Sequence, residues 1–266
     1  MLTQSIIDDY RRDGYTVHPA FLSAGGVASL LTELDRICAG NTLAAHDTEK
    51  MEMEPSQPPD GTAVRRIYEP CSYYPAFIDL SESAALLDCV EALVGPDVIR
   101  HYSKINMKPP AIGSVVEWHQ DLSYYPLTNG DSLAVLIYLD DTTIDNGCLQ
   151  VIPGVHEQPL MDHTKDGFFQ GSITQAVDET HAVPIEGAAG SVLLWHGGAW
   201  HQARANTSEE IRIGLNIAYY PRWFNNWIEG GHQPVWPETY QRMPEAYRAL
   251  CPGRQGHTRE DIYEAR

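Results

Sequence analysis

From residue 97 onward the chain breaks into short apolar runs separated by glycine-, proline- or asparagine-rich turns, and this succession constrains the fold more than any other feature. The runs cover 97–108, 114–119, 131–139, 147–152, 181–186, 190–195 and 211–220. Strands of that length with turns between them predict a two-sheet barrel or jelly roll. The last run shows the period most cleanly. Ile211, Ile213, Leu215 and Ile217 point one way, and Arg212, Gly214, Asn216 and Ala218 the other, because successive side chains of a strand alternate between its faces. One face belongs to a core. The other opens with an arginine followed by a glycine, which suits a pocket for a small dianion, whereas a surface strand would carry several charges.

Helices precede the strands. Residues 3–13 and 23–38 read as helical, the second opened by Ser23 as N-cap, with Val27, Leu30, Leu31, Leu34 and Ile37 on one stripe that packs on the core. Ser83 to Val94 is a third helix, ended by Gly95-Pro96. Residues 41–62 hold Pro55, Pro58, Pro59 and Gly61 among mixed charges and read as a long loop. Residues 155–180 form a long polar insertion between strands, of the length used for lids and binding loops. Beyond the last strand, Trp223, Phe224, Trp227, Trp236 and Tyr240 cluster; these aromatics read as a seal on the barrel or a dimer contact in preference to a wall over the pocket.

Among these elements sits one His-x-Asp triplet, His119-Gln-Asp121, at the end of the run 114–119. Residues i and i+2 of an extended segment share a face, so both side chains can reach one metal ion. His201 follows 80 residues after Asp121, and Arg212 lies 11 residues beyond His201. Two imidazoles and one carboxylate are the ligand set of the non-haem Fe(II) oxygenases, which leave three coordination positions open. Two of those positions suit the 1-carboxylate and 2-keto oxygens of 2-oxoglutarate, and the third suits O2. Arg212 then offers a cation to the distal carboxylate. Gly190-Ser-Val-Leu-Leu-Trp195 reads as a buried strand and His196-Gly-Gly-Ala-Trp-His201 as a glycine-loosened turn, so His196, five residues before His201, competes for the third ligand position.

Several segments in order resemble the phytanoyl-CoA dioxygenase family of Fe(II)/2-oxoglutarate oxygenases. They are Asn106-Met-Lys-Pro-Pro110, Trp118-His-Gln-Asp-Leu122, Asn146-Gly-Cys-Leu-Gln-Val-Ile-Pro-Gly-Val-His156, and Gly190 to His201 with Asn206-Thr-Ser208 and Arg212. Asp13-Gly-Tyr-Thr-Val17 and Phe21-Leu-Ser23 resemble the family's amino terminus. The resemblance implies a mainly β fold with flanking α-helices, the double-stranded β-helix (a cupin-like jelly roll). It implies that His119, Asp121 and His201 bind Fe(II), that Arg212 grips the 5-carboxylate of 2-oxoglutarate, and that O2 is consumed. In the family's His-Gly-x-x-x-His pattern the second histidine is the ligand, which leaves His196 as an outer-sphere or packing residue. His156 is expected in a structural loop near the mouth. Lys104, on a strand that lines the family's co-substrate pocket, is a second contact; a solvated lysine on a strand edge is its alternative. Arg65 or Arg66 is a further basic candidate whose register the sequence leaves open. Where many relatives have Gly-Ser after the distal histidine, this chain has Gln202-Ala203, so its co-substrate contacts differ in detail. Related halogenases replace the carboxylate to admit chloride, so the retained Asp121 argues against halogenation; the resemblance implies hydroxylation of an aliphatic C–H with release of succinate and CO2, with desaturation, epoxidation or ring formation as alternatives set by where the substrate carbon sits.

The rival reading is a non-catalytic or zinc-dependent small-molecule-binding protein on the same barrel. The composition bears on partners. A formal charge of −18 over 266 residues argues against nucleic acid and anionic membranes, which both require basic surface, and leaves a small-molecule substrate. Five cysteines without a Cys-x-x-Cys pair suggest reduced thiols and a cytoplasmic location. No signal peptide or membrane span is expected. The ending Glu264-Ala-Arg266 is not a peroxisomal Ser-Lys-Leu, which favours bacterial-type small-molecule hydroxylation over a fatty-acyl role. A single dioxygenase domain over 1–266 is expected, with N-terminal helices over 1–95, a core barrel over about 98–220 and a tail over 221–266, as a monomer or homodimer.

Overall fold

Alternation along the strands becomes two facing sheets in the computed structural model, which describes residues 2–110, 115–124 and 131–221. The first part of the chain gives α1 (Gln4–Asp13), β1 (Tyr15–His18), α2 (Ala24–Cys38), β2 (Met51–Met53), β3 (Val64–Tyr68), α3 (Pro70–Tyr73), α4 (Pro75–Ser81) and α5 (Ala84–Val94). The second part gives β4 (Val98–Lys108), β5 (Val116–His119), β6 (Leu133–Tyr138), β7 (Leu149–Val151), β8 (Thr164–Lys165), β9 (Phe168–Phe169), β10 (Val183–Ile185), β11 (Val192–His196), β12 (His201–Ala203) and β13 (Arg212–Pro221). The larger sheet runs β1-β11-β6-β13-β4-β3-β2 and the smaller β10-β7-β12-β5, and every pairing in them is antiparallel. This is the mainly β jelly roll with flanking helices that the pattern predicts.

Helix boundaries follow their caps. Ser23 Oγ accepts from Gly26 N–H and Ser83 Oγ from Leu86 N–H, each satisfying an orphan donor of the first turn. Val27, Leu30, Leu34 and Ile37 of α2 are buried. Leu31 is only partly covered, yet it packs on the same cluster. That cluster lies between the helices and the outer face of the larger sheet, where Ile67, Ile105, Leu215 and Ile217 are fully enclosed. Each such side chain contributes roughly 1.5–3 kcal/mol on leaving water. The opposite face of the same strands carries Arg66, Lys104, Asn106, Arg212 and Asn216 and looks into the space between the sheets.

Three expectations need correction. Residues 41–62 are not wholly loop: Met51–Met53 pairs with β3, burying Met51 and Met53. Its proline content hid a strand whose partner comes later in the chain. His201 is not in a turn; it begins β12, paired with β5 on one side and β7 on the other. His156 is not at the mouth. It sits in a 3-10 turn, Val155–Glu157, against Gly14 and His196. The aromatic tail residues Trp223, Phe224, Trp227, Trp236 and Tyr240 lie outside the described residues.

Candidate active site

A cavity of about 510 Å³ separates the sheets, and its lining includes His119, Asp121 and His201 from one side and Arg212, Lys104 and Arg66 from the other. That volume suits a small ligand. The histidines meet because β5 and β12 pair with His119 directly opposite His201, bringing their ring centroids to 4.0 Å. Each ring is oriented by a carbonyl two residues before it: His119 Nδ1 donates to Glu117 O at 2.8 Å and His201 Nδ1 to Ala199 O at 3.0 Å. Both Nε2 atoms are thereby left as acceptors, the tautomer a metal ligand needs. They lie 3.7 and 3.6 Å from Asp121 Oδ1. Asp121 Oδ2 accepts the Trp195 indole N–H at 3.1 Å, so one carboxylate oxygen is occupied and the other faces the imidazoles. Their ligand atoms all fall within 4.8 Å of one another, the one such cluster among the described residues. Burial, reinforced by His201, holds the His119 imidazole well below its usual range, keeping it neutral and available to a cation. The donor set fits Fe(II), and Asp121 retains the oxygen that an iron ion would take.

Gln120, between the two cavity-facing side chains, points the other way. It is fully buried, its amide donating to Gly198 O at 2.9 Å and accepting Met161 N–H at 2.7 Å, while its backbone N–H donates to His163 Nε2 at 3.2 Å. It ties the triplet to the turn before His201 and to the insertion 155–180. Sequence reasoning missed Gln120, His163 and Trp195, because each works through a partner at least 41 residues away. The insertion carries the β8–β9 hairpin, whose Phe169 ring meets Tyr124 at 5.0 Å. Tyr124 lines the cavity and stands edge-on to His119 at 5.9 Å.

Arg212 sits at the far end of the cavity wall, 4% exposed. Its Nη2 donates to Gly147 O at 3.0 Å, and its Nε is buried without a partner. Buried donors are almost always satisfied, so an arginine left this way awaits an acceptor. Two glycines adjoin it, Gly147 through its carbonyl and Gly214 through the space a side chain would fill. Gly147 has φ +81 and packs so closely that a Cβ would fall 2.4 Å from Arg204 O. At Gly214 a Cβ would meet Leu136 Cδ1 at 2.7 Å and lie 3.5 Å from Arg212 Nη1. The Arg-x-Gly alternation therefore marks a pocket, as read from the sequence. Lys104 is not on a sheet edge: β4 lies between β13 and β3. Its ammonium stands 5.6 Å from the Tyr102 ring centroid, and burial lowers its affinity for the proton while Asp121 raises it. His196, by contrast, turns away from the cavity. Its Nδ1 accepts Gly198 N–H at 3.0 Å, its ring meets His156 edge-on and lies tilted to Tyr10, and burial pushes its pKa down to about 4.

A jelly roll that gathers two histidines, a carboxylate and a buried arginine around one small cavity defines a class, the non-haem iron oxygenases. The family model for phytanoyl-CoA dioxygenase matches residues 10–214. The chain belongs to the phytanoyl-CoA dioxygenase family, and it is an iron- and 2-oxoglutarate-dependent dioxygenase. Among curated relatives, it is 34% identical over 218 residues to a probable alpha-ketoglutarate-dependent hypophosphite dioxygenase of Stutzerimonas stutzeri, covering 79% of this chain and 76% of the relative. It is 28% identical to a methylphosphonate hydroxylase of Gimesia maris, covering 82% and 80%. Among solved structures, EctD from S. alaskensis with 2-oxoglutarate and 5-hydroxyectoine superposes with TM-score 0.71 at 25% identity, covering 85% of this chain and 78% of that one. Family membership decides against the non-catalytic and zinc alternatives. No helix among the described residues is long and apolar enough to cross a membrane.

Proposed function

We propose that His119 Nε2, Asp121 Oδ1 and His201 Nε2 bind Fe(II), that Arg212 receives the distal carboxylate of 2-oxoglutarate, and that Lys104 is a second co-substrate contact. The carrying observation is the pair of Nδ1-to-carbonyl hydrogen bonds that aim both Nε2 atoms at Asp121 Oδ1. The partnerless Nε of Arg212 supports the co-substrate assignment. Iron and 2-oxoglutarate supply the oxidation: one oxygen atom of O2 enters succinate as CO2 leaves, and the other converts a substrate C–H to C–OH. This chain's residues bind and orient. Trp195 fixes which Asp121 oxygen faces the metal, Gln120 holds the triplet against the turn before His201, and the Tyr124 ring borders the space left for substrate.

The substrate is a small polar molecule; a cavity of about 510 Å³ lined by charged side chains suits such a compound better than a long acyl chain. The relatives named for hypophosphite, methylphosphonate and ectoine support that reading. The chain acts as one catalytic domain, monomer or homodimer, in the cytoplasm, where reducing conditions keep iron ferrous. Four described cysteines, 38, 71, 89 and 148, all unpaired, agree with that compartment. Succinate release tests the assignment. Replacing a ligand in Asp121→Ala should cost more than the roughly 100-fold that outer-sphere partners reach; iron-dependent turnover within a factor of a few of wild type would refute the triad.

A further inference from the structure

The cavity holds a second group of cations, to which the assignment above gives no role. Arg65 and Arg66 of β3 both line it and share a single carboxylate: Arg65 Nη1 donates to Glu52 Oε1 at 2.8 Å and Arg66 Nη1 to Glu52 Oε2 at 3.1 Å. The Tyr68 hydroxyl donates to the same Oε2 at 2.7 Å. One carboxylate thus balances two guanidiniums. A guanidinium has five N–H donors in a planar fork, so donors remain for a second oxyanion. Register brings this group beside the co-substrate wall, with Arg66 opposite Asn106 and Tyr68 opposite Lys104 across β3 and β4.

Charge points the same way. Among the described residues five cations line the cavity, Arg65, Arg66, Lys104, Lys108 and Arg212. Opposing them are Glu54, Glu69 and Asp121 from the lining, with Glu52 just behind. The formal charges of Fe(II) and 2-oxoglutarate cancel, so the loaded cavity keeps a positive excess in a chain of net charge −18. Burial removes part of it by pushing Lys108 down to about 7, and the same burial raises Glu54, its neighbour, toward the neutral acid. Arg65 and Arg66, with Glu52 between them, keep one net positive charge of their own. Concave sites with low-dielectric walls focus such a field.

We infer that the substrate carries a small oxyanionic group, a phosphonate or a carboxylate, and that Arg66, steadied by Glu52 and flanked by Arg65 and Tyr68, receives it. This rests on the iron and 2-oxoglutarate assignment above. The anion is held on the β3 side of the cavity, apart from the distal carboxylate of the co-substrate at Arg212, and its C–H bonds are presented toward the triad.

The test is calorimetric titration of the anaerobic protein loaded with Fe(II) and 2-oxoglutarate, using methylphosphonate and propionate as probes and their uncharged methyl esters as controls. Saturable binding of at least one anion, with the esters silent, is expected. Arg66→Gln should weaken that binding by roughly tenfold or more, the cost of one charge-assisted hydrogen bond, with Arg66→Lys recovering part of it and 2-oxoglutarate affinity unmoved in both. Equal binding of esters and anions, binding of neither anion, or an Arg66→Gln variant that binds as wild type overturns the inference. Loading is checked first by the visible band of the iron–2-oxoglutarate chelate. A protein that never forms the band fails the earlier assignment and takes this one with it; a protein that forms the band but ignores the anions fails only here.

Discussion

On the smaller sheet, each candidate ligand histidine is oriented by a carbonyl two residues before it, His119 by Glu117 and His201 by Ala199. On the larger sheet, Arg212 and Lys104 owe their places to pairing between β13 and β4, strands about a hundred residues apart, with Arg212 opposite Lys108 and Asn216 opposite Lys104. The two walls also differ in how completely their polar atoms are satisfied. The histidines have one nitrogen bonded and one aimed at Asp121, whereas Arg212 leaves Nε buried and unpaired. A metal ion tolerates little error in ligand position, so local hydrogen bonds set that wall before anything binds. A diffuse anion tolerates more, and the co-substrate proposed for this wall would supply the acceptor that Arg212 Nε lacks.

Breaking the metal wall should have the largest effect, through the loss of turnover in Asp121→Ala described above. Breaking the opposite wall should leave iron alone. Arg212→Ala is expected to raise the 2-oxoglutarate requirement by roughly 10- to 100-fold, as for a charge-assisted pair worth about 1.5–3 kcal/mol, with Fe(II) binding unmoved; steady-state succinate assays against direct metal titration separate the two. Trp195→Phe sharpens the comparison from the other side. It keeps an aromatic side chain but removes the N–H that binds Asp121 Oδ2, and should weaken Fe(II) binding by about tenfold with little change in the 2-oxoglutarate requirement. An unchanged metal affinity would show that Asp121 is held by packing alone.

The smallest effect concerns a histidine that belongs to neither wall. Burial pushes His196 down to about 4, against about 6.5 in an unfolded chain. As pH falls from 6.5 toward 4 the unfolded chain takes up a proton that the folded chain refuses, so stability is lost across that window and is unaffected above it. In urea titrations of the metal-free protein, His196→Phe should reduce proton uptake on unfolding near pH 5 by about one. An identical pH slope would place the sensitivity elsewhere.

Much of this was legible in advance, and what was not has a common cause. The alternation Ile211 to Ile217 revealed both the core face and the Arg212 pocket, because period two is a local property. The triplet turned His119 and Asp121 toward one cavity for the same reason. The strand at Met51–Met53 was invisible among prolines, since only its partner β3 identifies it. His201 read as part of a turn because β12 is three residues long and follows Gly197-Gly198 closely, and its strand character comes from β5 and β7. Trp195 looked like any buried tryptophan; its role appears only when Asp121, 74 residues earlier, arrives at its indole nitrogen. Arg65 and Arg66 could be named but not placed, because Glu52 and β4 set where they point.

The most direct measurement is an anaerobic titration of the metal-free protein with Fe(II) and then 2-oxoglutarate, following the visible charge-transfer band of the chelate. The band should appear in wild type, be lost in His201→Ala, and persist in Arg212→Ala only at much higher 2-oxoglutarate. A wild-type protein that binds iron but never develops the band, or a His201→Ala variant that still does, would contradict the iron and 2-oxoglutarate assignment.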